Sequence, residues 1–276
     1  KIAEVIGIHK STVNRELIRN RGGRGYRPKQ ANAFAQERRR HNVHFRIDSG
    51  TWVFIERLIC KEWSPEQISG WMKKNMDIAV SHEWIYQYVL KDKLAGGSLY
   101  LHLRCKKKRK KRYGSNERRG ILKNRIGIDQ RPAIVDTRSR VGDWEADTII
   151  GKAHKQAIVS LTERKSGLAL IYKVDRRTKE NTEGAIKRLL GSISKQVHTI
   201  TSDNGKEFAN HESIAKKLKC DFYFAHVYSS WERGTNENTN GLIRQYFPKN
   251  RDFRTMTDEE IIHAMERLNN RPRKRL

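Results

Sequence analysis

Three carboxylates stand out by type, spacing and surroundings. Asp147 is central in Asp143-Trp-Glu-Ala-Asp-Thr-Ile-Ile-Gly151, a run that alternates like a strand. Asp203 ends an apolar run and opens Asp203-Asn-Gly205, a turn signal. Glu237 follows after 33 intervening residues, in the first turn of a helical stretch. An acid within an apolar strand needs a reason to be there. An acid at the carboxyl edge of an open α/β sheet lies where such sheets place their sites. Hard oxygen ligands on separate rigid elements suit phosphodiester chemistry with two Mg²⁺ ions, for which Mn²⁺ can substitute. Each acid also has an ordinary explanation: a lysine partner for Asp147, a turn for Asp203, a helix dipole for Glu237. Asp143 and Glu145 share a face with Asp147 and compete with it, and Glu232 competes with Glu237. Asn204, Asn236 and Asn238 are candidates to orient ligands. His226 and Cys220 read as structural.

Positioning these acids requires a mixed sheet. Runs at 143–151, 156–162 and 167–174 read as an antiparallel meander with a turn at 163–167. A helix at 179–190, a strand at 197–202, a helix at 208–218 and a strand at 221–225 follow. Helices at 234–247 and 258–268 close the pattern, the latter opened by the capping box Thr257-Asp-Glu-Glu260. The order β-β-β-α-β-α-β-α predicts an α/β ribonuclease-H-like core. On the helix from 234, Leu242, Ile243 and Tyr246 face the core. Gly241 and Arg244 share the Glu237 side, which leaves Arg244 available to a phosphate.

The remainder is strongly basic. The chain has 276 residues, with 58 Lys+Arg against 31 Asp+Glu and a net charge of +27. Residues 1–140 carry 33 Lys+Arg and 13 Asp+Glu, and residues 141–276 carry 25 and 18. The front half is thus an electrostatic footprint for a polyanion. Hydrophobic residues at 36% exclude wholesale disorder, and five Pro exclude collagen- or mucin-like chains. Cys60, Cys105 and Cys220 are isolated, which supports neither a disulfide framework nor a zinc ribbon and fits a reducing cytoplasm. No apolar run approaches membrane-span length, so no membrane partner is expected. Lys1 and the terminal Arg271-Pro-Arg-Lys-Arg275 run read as the ends of a segment cut from a longer protein.

Four parts are expected: helix–turn–helix at 1–45, a second helical domain at 50–100, a basic linker at 101–138 and the core at 139–276. In the first, Gly7 suits the turn, Ser11 caps the second helix, and Val13 and Leu17 pack inward. Ser11, Thr12, Asn14, Arg15 and Arg19 then make the DNA-facing set. In the second, Ser64 and Ser81 cap helices, while Trp52, Trp71 and Trp84 read as core. His82, Glu83 and Gln87 are its exposed face, with His82 and Gln87 as candidate DNA contacts. In the linker, Lys106, Lys107, Lys108, Arg109 and Lys110 belong to a run with eight basic residues in nine, suited to sequence-independent phosphate contacts.

Trp144-Glu-Ala-Asp-Thr-Ile-Ile-Gly151, Thr201-Ser-Asp-Asn-Gly-Lys-Glu-Phe208 and Ser230-Trp-Glu-Arg-Gly-Thr-Asn-Glu-Asn-Thr-Asn-Gly-Leu-Ile-Arg-Gln-Tyr-Phe-Pro248 resemble the transposases of the insertion-sequence 30 family. The resemblance extends over nearly the whole chain. It implies a retroviral-integrase-like core whose acidic triad falls on Asp147, Asp203 and Glu237. It also implies binding of double-stranded DNA at terminal inverted repeats and target, as a homodimer or higher oligomer, in a bacterial cytoplasm at the nucleoid. The implied reaction is metal-dependent strand cleavage followed by strand transfer. Ala146 stands where the family often has Gly, and Val227 where it often has Pro. A nuclease of the same fold without strand transfer, and a regulator that only binds DNA, are the alternatives.

Overall fold

The computed structural model describes residues 1–41, 47–104, 122, 124–152, 156–227 and 229–273. The expected linker contacts Lys106, Lys107, Lys108, Arg109 and Lys110 lie outside the described residues. The chain forms two compact units, Lys1–Val53 and Phe54–Leu276.

The first unit contains α1 (Ile2–Val5), α2 (Lys10–Asn20), a short hairpin of β1 (Arg21–Gly22) and β2 (Gly25–Tyr26), and α3 (Pro28–His41). Gly7 takes φ +64° in the turn between α1 and α2, a conformation glycine adopts without strain. The cap of α2 differs from expectation. His9, extended at φ −68° and ψ 142°, precedes the helix, and its Nδ1 accepts the Ser11 backbone N–H at 3.3 Å. Ser11 therefore lies in the first turn rather than capping it. Val13 is half-buried, but Leu17 remains 36% exposed, so the inward packing expected of the pair is incomplete.

The second unit begins in α4 (Ser49–Cys60), which spans the boundary, and continues through α5 (Pro65–Met76) and α6 (His82–Leu94). Ser64 and Gln67 form the expected capping box on α5, and Ser81 caps α6. Ile55, Leu58, Ile59, Ile68, Met72, Ile85 and Val89 are buried side chains of these helices. Trp71 is half-buried against Phe54 and Trp63. Trp84 is not core: it is 60% exposed, because Ile85 and Val89 supply the inward face of α6.

After α7 (Ile134–Thr137) come β3 (Asp143–Ile150), β4 (Ala157–Glu163), β5 (Ala169–Val174), α8 (Lys179–Leu190), β6 (Thr199–Ser202), α9 (His211–Leu218), β7 (Asp221–Phe224), α10 (Gly234–Tyr246) and α11 (Asp258–Asn269). The sheet order is β5-β4-β3-β6-β7. The β3–β4 and β4–β5 pairs are antiparallel, and β3–β6 and β6–β7 are parallel. This is the ribonuclease-H-like arrangement expected from the element order. The helix expected at 208–218 is divided, with a 3₁₀ turn at Lys206–Phe208 preceding α9.

Helices cover both faces. Trp144, Ala146, Val159 and Leu161 pack with Ile186 and Leu190 of α8 and Ile214 of α9. Ile149, Ile158 and Ile171 pack with Ile243 of α10 and Ile261 and Leu268 of α11. Every residue of β4 is buried, as a central strand between two helical layers requires. The C-terminal arginines are partly structural. Arg271 is buried against Tyr246 and Glu62, and Arg273 donates to the Ser166 and Leu268 carbonyls.

Candidate active site

The three acids of β3 have different fates. Asp143 is buried, receives a two-pronged bond from Arg140 at 2.9 and 3.0 Å, and accepts from the Thr199 hydroxyl at 2.8 Å. Glu145 is fully buried. It pairs with Arg164 at 2.5 Å and accepts the Asn236 backbone N–H at 2.8 Å. Asp147 instead opens toward solvent, with its side chain 24% exposed. An arginine and a further hydrogen bond hold each of the first two within the core, whereas Asp147 keeps part of its side chain in solvent.

Asp203 follows the last residue of β6, next to β3 in the sheet. Its Oδ1 accepts the Gly205 N–H at 2.9 Å, an Asx turn that fixes the carboxylate at the strand end. Burial raises the Asp147 pKa above the ordinary carboxylate value; Arg233 opposes the shift, and the charge of Asp203 adds to it. The two acids thus feel each other across adjacent parallel strands. A carboxylate pushed up by burial, next to a second carboxylate on the adjacent strand, is a donor pair that a hard divalent cation would neutralise.

Asparagines on α10 register the helix on the sheet. Asn236 accepts from the Thr162 hydroxyl at 3.1 Å while its backbone binds Glu145. Asn240 accepts from Ser160 at 2.8 Å and donates to Asp147 Oδ2 at 2.9 Å. Four helical residues rise about 6 Å, and two strand residues advance about 6.8 Å. The i,i+4 asparagines therefore match the i,i+2 acids. Arg233, just before α10, lies 3.4 Å from Asp147 Oδ2 and donates to the Ala146 carbonyl at 3.3 Å.

Glu237 is exposed on the first turn of α10. Among the described residues, no three His, Cys, Asp or Glu side chains converge as a metal site, so Glu237 is not gathered with Asp147 and Asp203 into one cluster. The open side of α10 is also more occupied than expected. Arg104 donates to Asn238 Oδ1 at 2.8 Å, and a Cβ at Gly241 would lie 2.2 Å from the Arg104 guanidinium. Arg244 is not available to a phosphate as expected. It is half-buried and donates to the Ile150 and Phe247 carbonyls, with its pKa lowered by burial.

Two further groups, Glu207 and Arg233, escaped the sequence, and His226, read as structural, has partners the sequence did not show. Glu207 is buried, accepts from Thr148 at 2.9 Å and pairs with Arg177. Arg233 sits in an apparent loop. His226 bridges Glu232 (2.7 Å) and Asp129 (2.9 Å), which both raise its pKa, Glu232 more strongly. The signal for Glu207 was a charged residue between Gly205 and the buried Phe208. The His226 contacts strengthen on protonation and fade as pH rises through its elevated pKa.

Among the DNA-facing candidates, Ser11, Thr12, Asn14, Arg15 and Arg19 are exposed on α2, and His82 and Gln87 are exposed on α6. Gln87 donates to Glu83 at 3.1 Å.

Residues 137–230 match the integrase core domain, a span that includes Asp147 and Asp203. The chain is 45% identical over its full length to the transposase of insertion sequence element IS4351 from Bacteroides fragilis, covering 86% of that protein. It is 33% identical, again over its full length, to the transposase InsI of element IS30A from Escherichia coli, covering 75% of it. The chain belongs to the insertion-sequence 30 family of transposases. The catalytic core of bovine immunodeficiency virus integrase aligns with 48% of the transposase and 85% of its own chain, at 22% identity and a TM-score of 0.37. As an integrase-core transposase, the protein is a DDE-type polynucleotidyl transferase that cuts and joins DNA and depends on divalent metal. Among the described residues, no helix is long and apolar enough to cross a membrane.

Proposed function

We propose that Asp147, Asp203 and Glu237 form the acidic triad, holding two Mg²⁺ ions that Mn²⁺ can replace. The observation that carries this reading is the contrast along β3: Asp143 and Glu145 are buried on Arg140 and Arg164, whereas Asp147 keeps part of its side chain exposed and feels the charge of Asp203. Bound there, the ions would lower the pKa of an attacking hydroxyl and offset charge on the scissile phosphate. Asn240 sets the orientation of Asp147, and the Asx turn sets that of Asp203. Arg233 offsets negative charge at Asp147. Glu237, exposed on the first turn of α10, would complete the ligand set once metal and DNA are bound.

In this reading the protein binds the terminal inverted repeats of its element, cuts a strand to leave a 3′-OH, and directs that 3′-OH at target DNA. The exposed polar face of α2 reads bases, His82 and Gln87 on α6 contribute contacts, and the basic run that includes Lys106 to Lys110 grips phosphates. Two element ends must meet, which favours a dimer or higher oligomer on DNA in the bacterial cytoplasm. The experiment is incubation of the protein with a labelled duplex carrying an element end, with and without Mg²⁺. Nicks and joined products are scored separately. Both are expected with metal; nicks without joining would favour a nuclease, and binding alone a regulator.

A further inference from the structure

Among the described residues of the segment between β7 and α10, one large aromatic side chain stands in solvent, two residues before the arginine that meets Asp147. Trp231 is 74% exposed. The two residues that follow it are tied down. Glu232 Oε2 accepts the His226 backbone N–H at 2.8 Å, and its Oε1 meets the His226 ring at 2.7 Å. Arg233 is fixed on the Ala146 carbonyl and on Asp147. The Gly234 N–H returns to the Trp231 carbonyl and closes the turn. The indole is thus carried on backbone anchored on its C-terminal side, two residues from a side chain that touches Asp147.

Isolated exposed apolar residues are ordinary. The setting of this one is not. Cations stand near the carboxylates that the following arginine reaches: Arg233 at Asp147, Arg125 bonded to Asn204 next in sequence to Asp203, and exposed Lys206. A phosphate at the carboxylates would lie among these charges, and the adjoining base would then need a partner for its π-face. An indole held open on a fixed turn meets that need without further ordering. We propose that Trp231 is a stacking platform for a nucleobase flanking the scissile phosphate, unstacked from the duplex when an element end is bound. This rests on the reading of Asp147 and Asp203 as catalytic. Stacking on the indole offsets the loss of stacking within the duplex, and it positions the phosphate at the carboxylates.

The test is a cycle between protein and DNA. Duplexes carrying the element end are made intact, or with a single abasic residue at each position flanking the cut. Single-turnover cleavage with Mg²⁺ is measured for wild type, Trp231→Ala and Trp231→Phe. On intact DNA, Trp231→Ala should slow cleavage roughly 5- to 150-fold, and Trp231→Phe should recover part of the loss. At one abasic position the difference between wild type and Trp231→Ala should vanish, the signature of a direct partner. The proposal is overturned if Trp231→Ala is harmless on intact DNA, or if its defect is the same on every abasic duplex. A defect that instead follows a change of oligomeric state in sedimentation would also overturn it and assign Trp231 to a protein contact. Wild type and Asp147→Asn on intact DNA are run alongside. If Asp147→Asn still cleaves, the reading of the site fails and takes this proposal with it; if only the Trp231 cycle fails, the site stands.

Discussion

In residues 54–276 the sheet is covered on both faces, and side chains as large as Trp144, Phe208 and Phe253 are almost wholly buried. In residues 1–53 the buried apolar side chains among the described residues are Ala3 and Ala31, while Ile2, Val5, Ile6, Ile8, Leu17 and Ile18 are exposed. Local devices do much of the holding in the smaller unit: the His9 cap, the Gly7 turn and the buried Asn20 that accepts from Arg38. The contrast suits the roles proposed for the two units. Carboxylates that share metal ions need positions fixed to fractions of an ångström, which a packed core provides. A helix that meets a duplex can gain order from its partner, since binding stabilises the folded form by mass action.

The strongest way to break this contrast is to separate catalysis from stability in the large unit. Asp147→Asn and Asp203→Asn should each lower strand cleavage about a thousandfold or more, because metal-held charge contributes several kcal/mol to the transition state. Thermal melting should hold or rise slightly, since each substitution removes a like-charge repulsion. Glu145 should behave in the opposite way. Arg164→Ala leaves Glu145 buried without its guanidinium, and loss of one partner in a buried pair costs about 3–5 kcal/mol. Urea unfolding should show that loss. If Glu145→Gln abolished cleavage while unfolding normally, and Asp147→Asn cleaved normally, the acid chosen on β3 would be wrong.

Much of the fold was legible because period and punctuation agreed. The meander, the Thr257 capping box and the β-α-β succession each rest on local chemistry, and each appears in the structure. What stayed hidden depends on distant partners. The alternation of β3 puts Asp143, Glu145 and Asp147 on one face, and nothing local says that Arg164, in an apparent turn, will neutralise Glu145. Arg244 followed the same logic in reverse: its place on the polar side of α10 was readable, but its bonds to the Ile150 and Phe247 carbonyls were not. Trp84 misled because helical spacing alone does not say which of two adjacent apolar residues, Trp84 or Ile85, turns inward.

A packing test sharpens the comparison directly. Ile158, fully buried between β3 and β5, should lose about 2–5 kcal/mol as Ile158→Ala, through lost burial and a residual cavity. Leu17→Ala, in the smaller unit, should cost under about 1 kcal/mol because much of that side chain already meets water. Denaturant midpoints with matched slopes would show it. Equal costs would mean that the two units share one source of stability.

The smallest expected effect is also the most specific. On α2, Thr12, Asn14 and Arg15 are exposed, and Arg15 bonds weakly to the Ser11 carbonyl at 3.5 Å. That contact is too long to hold the guanidinium against a better acceptor. An arginine presented this way suits the O6 and N7 atoms of a guanine in the major groove. Arg15→Ala should therefore cost roughly 1–3 kcal/mol of discrimination at one base pair of the element end. His82→Ala and Gln87→Ala on α6 should cost less, since Gln87 already donates to Glu83. Competition binding with single-base variants of the end, at fixed salt, separates the cases. A uniform loss over all variants would make Arg15 a phosphate contact, because phosphates carry no sequence information. A base preference relaxed only by the α6 substitutions would transfer the reading role to the larger unit, and the division between a recognising unit and a catalytic one would no longer hold.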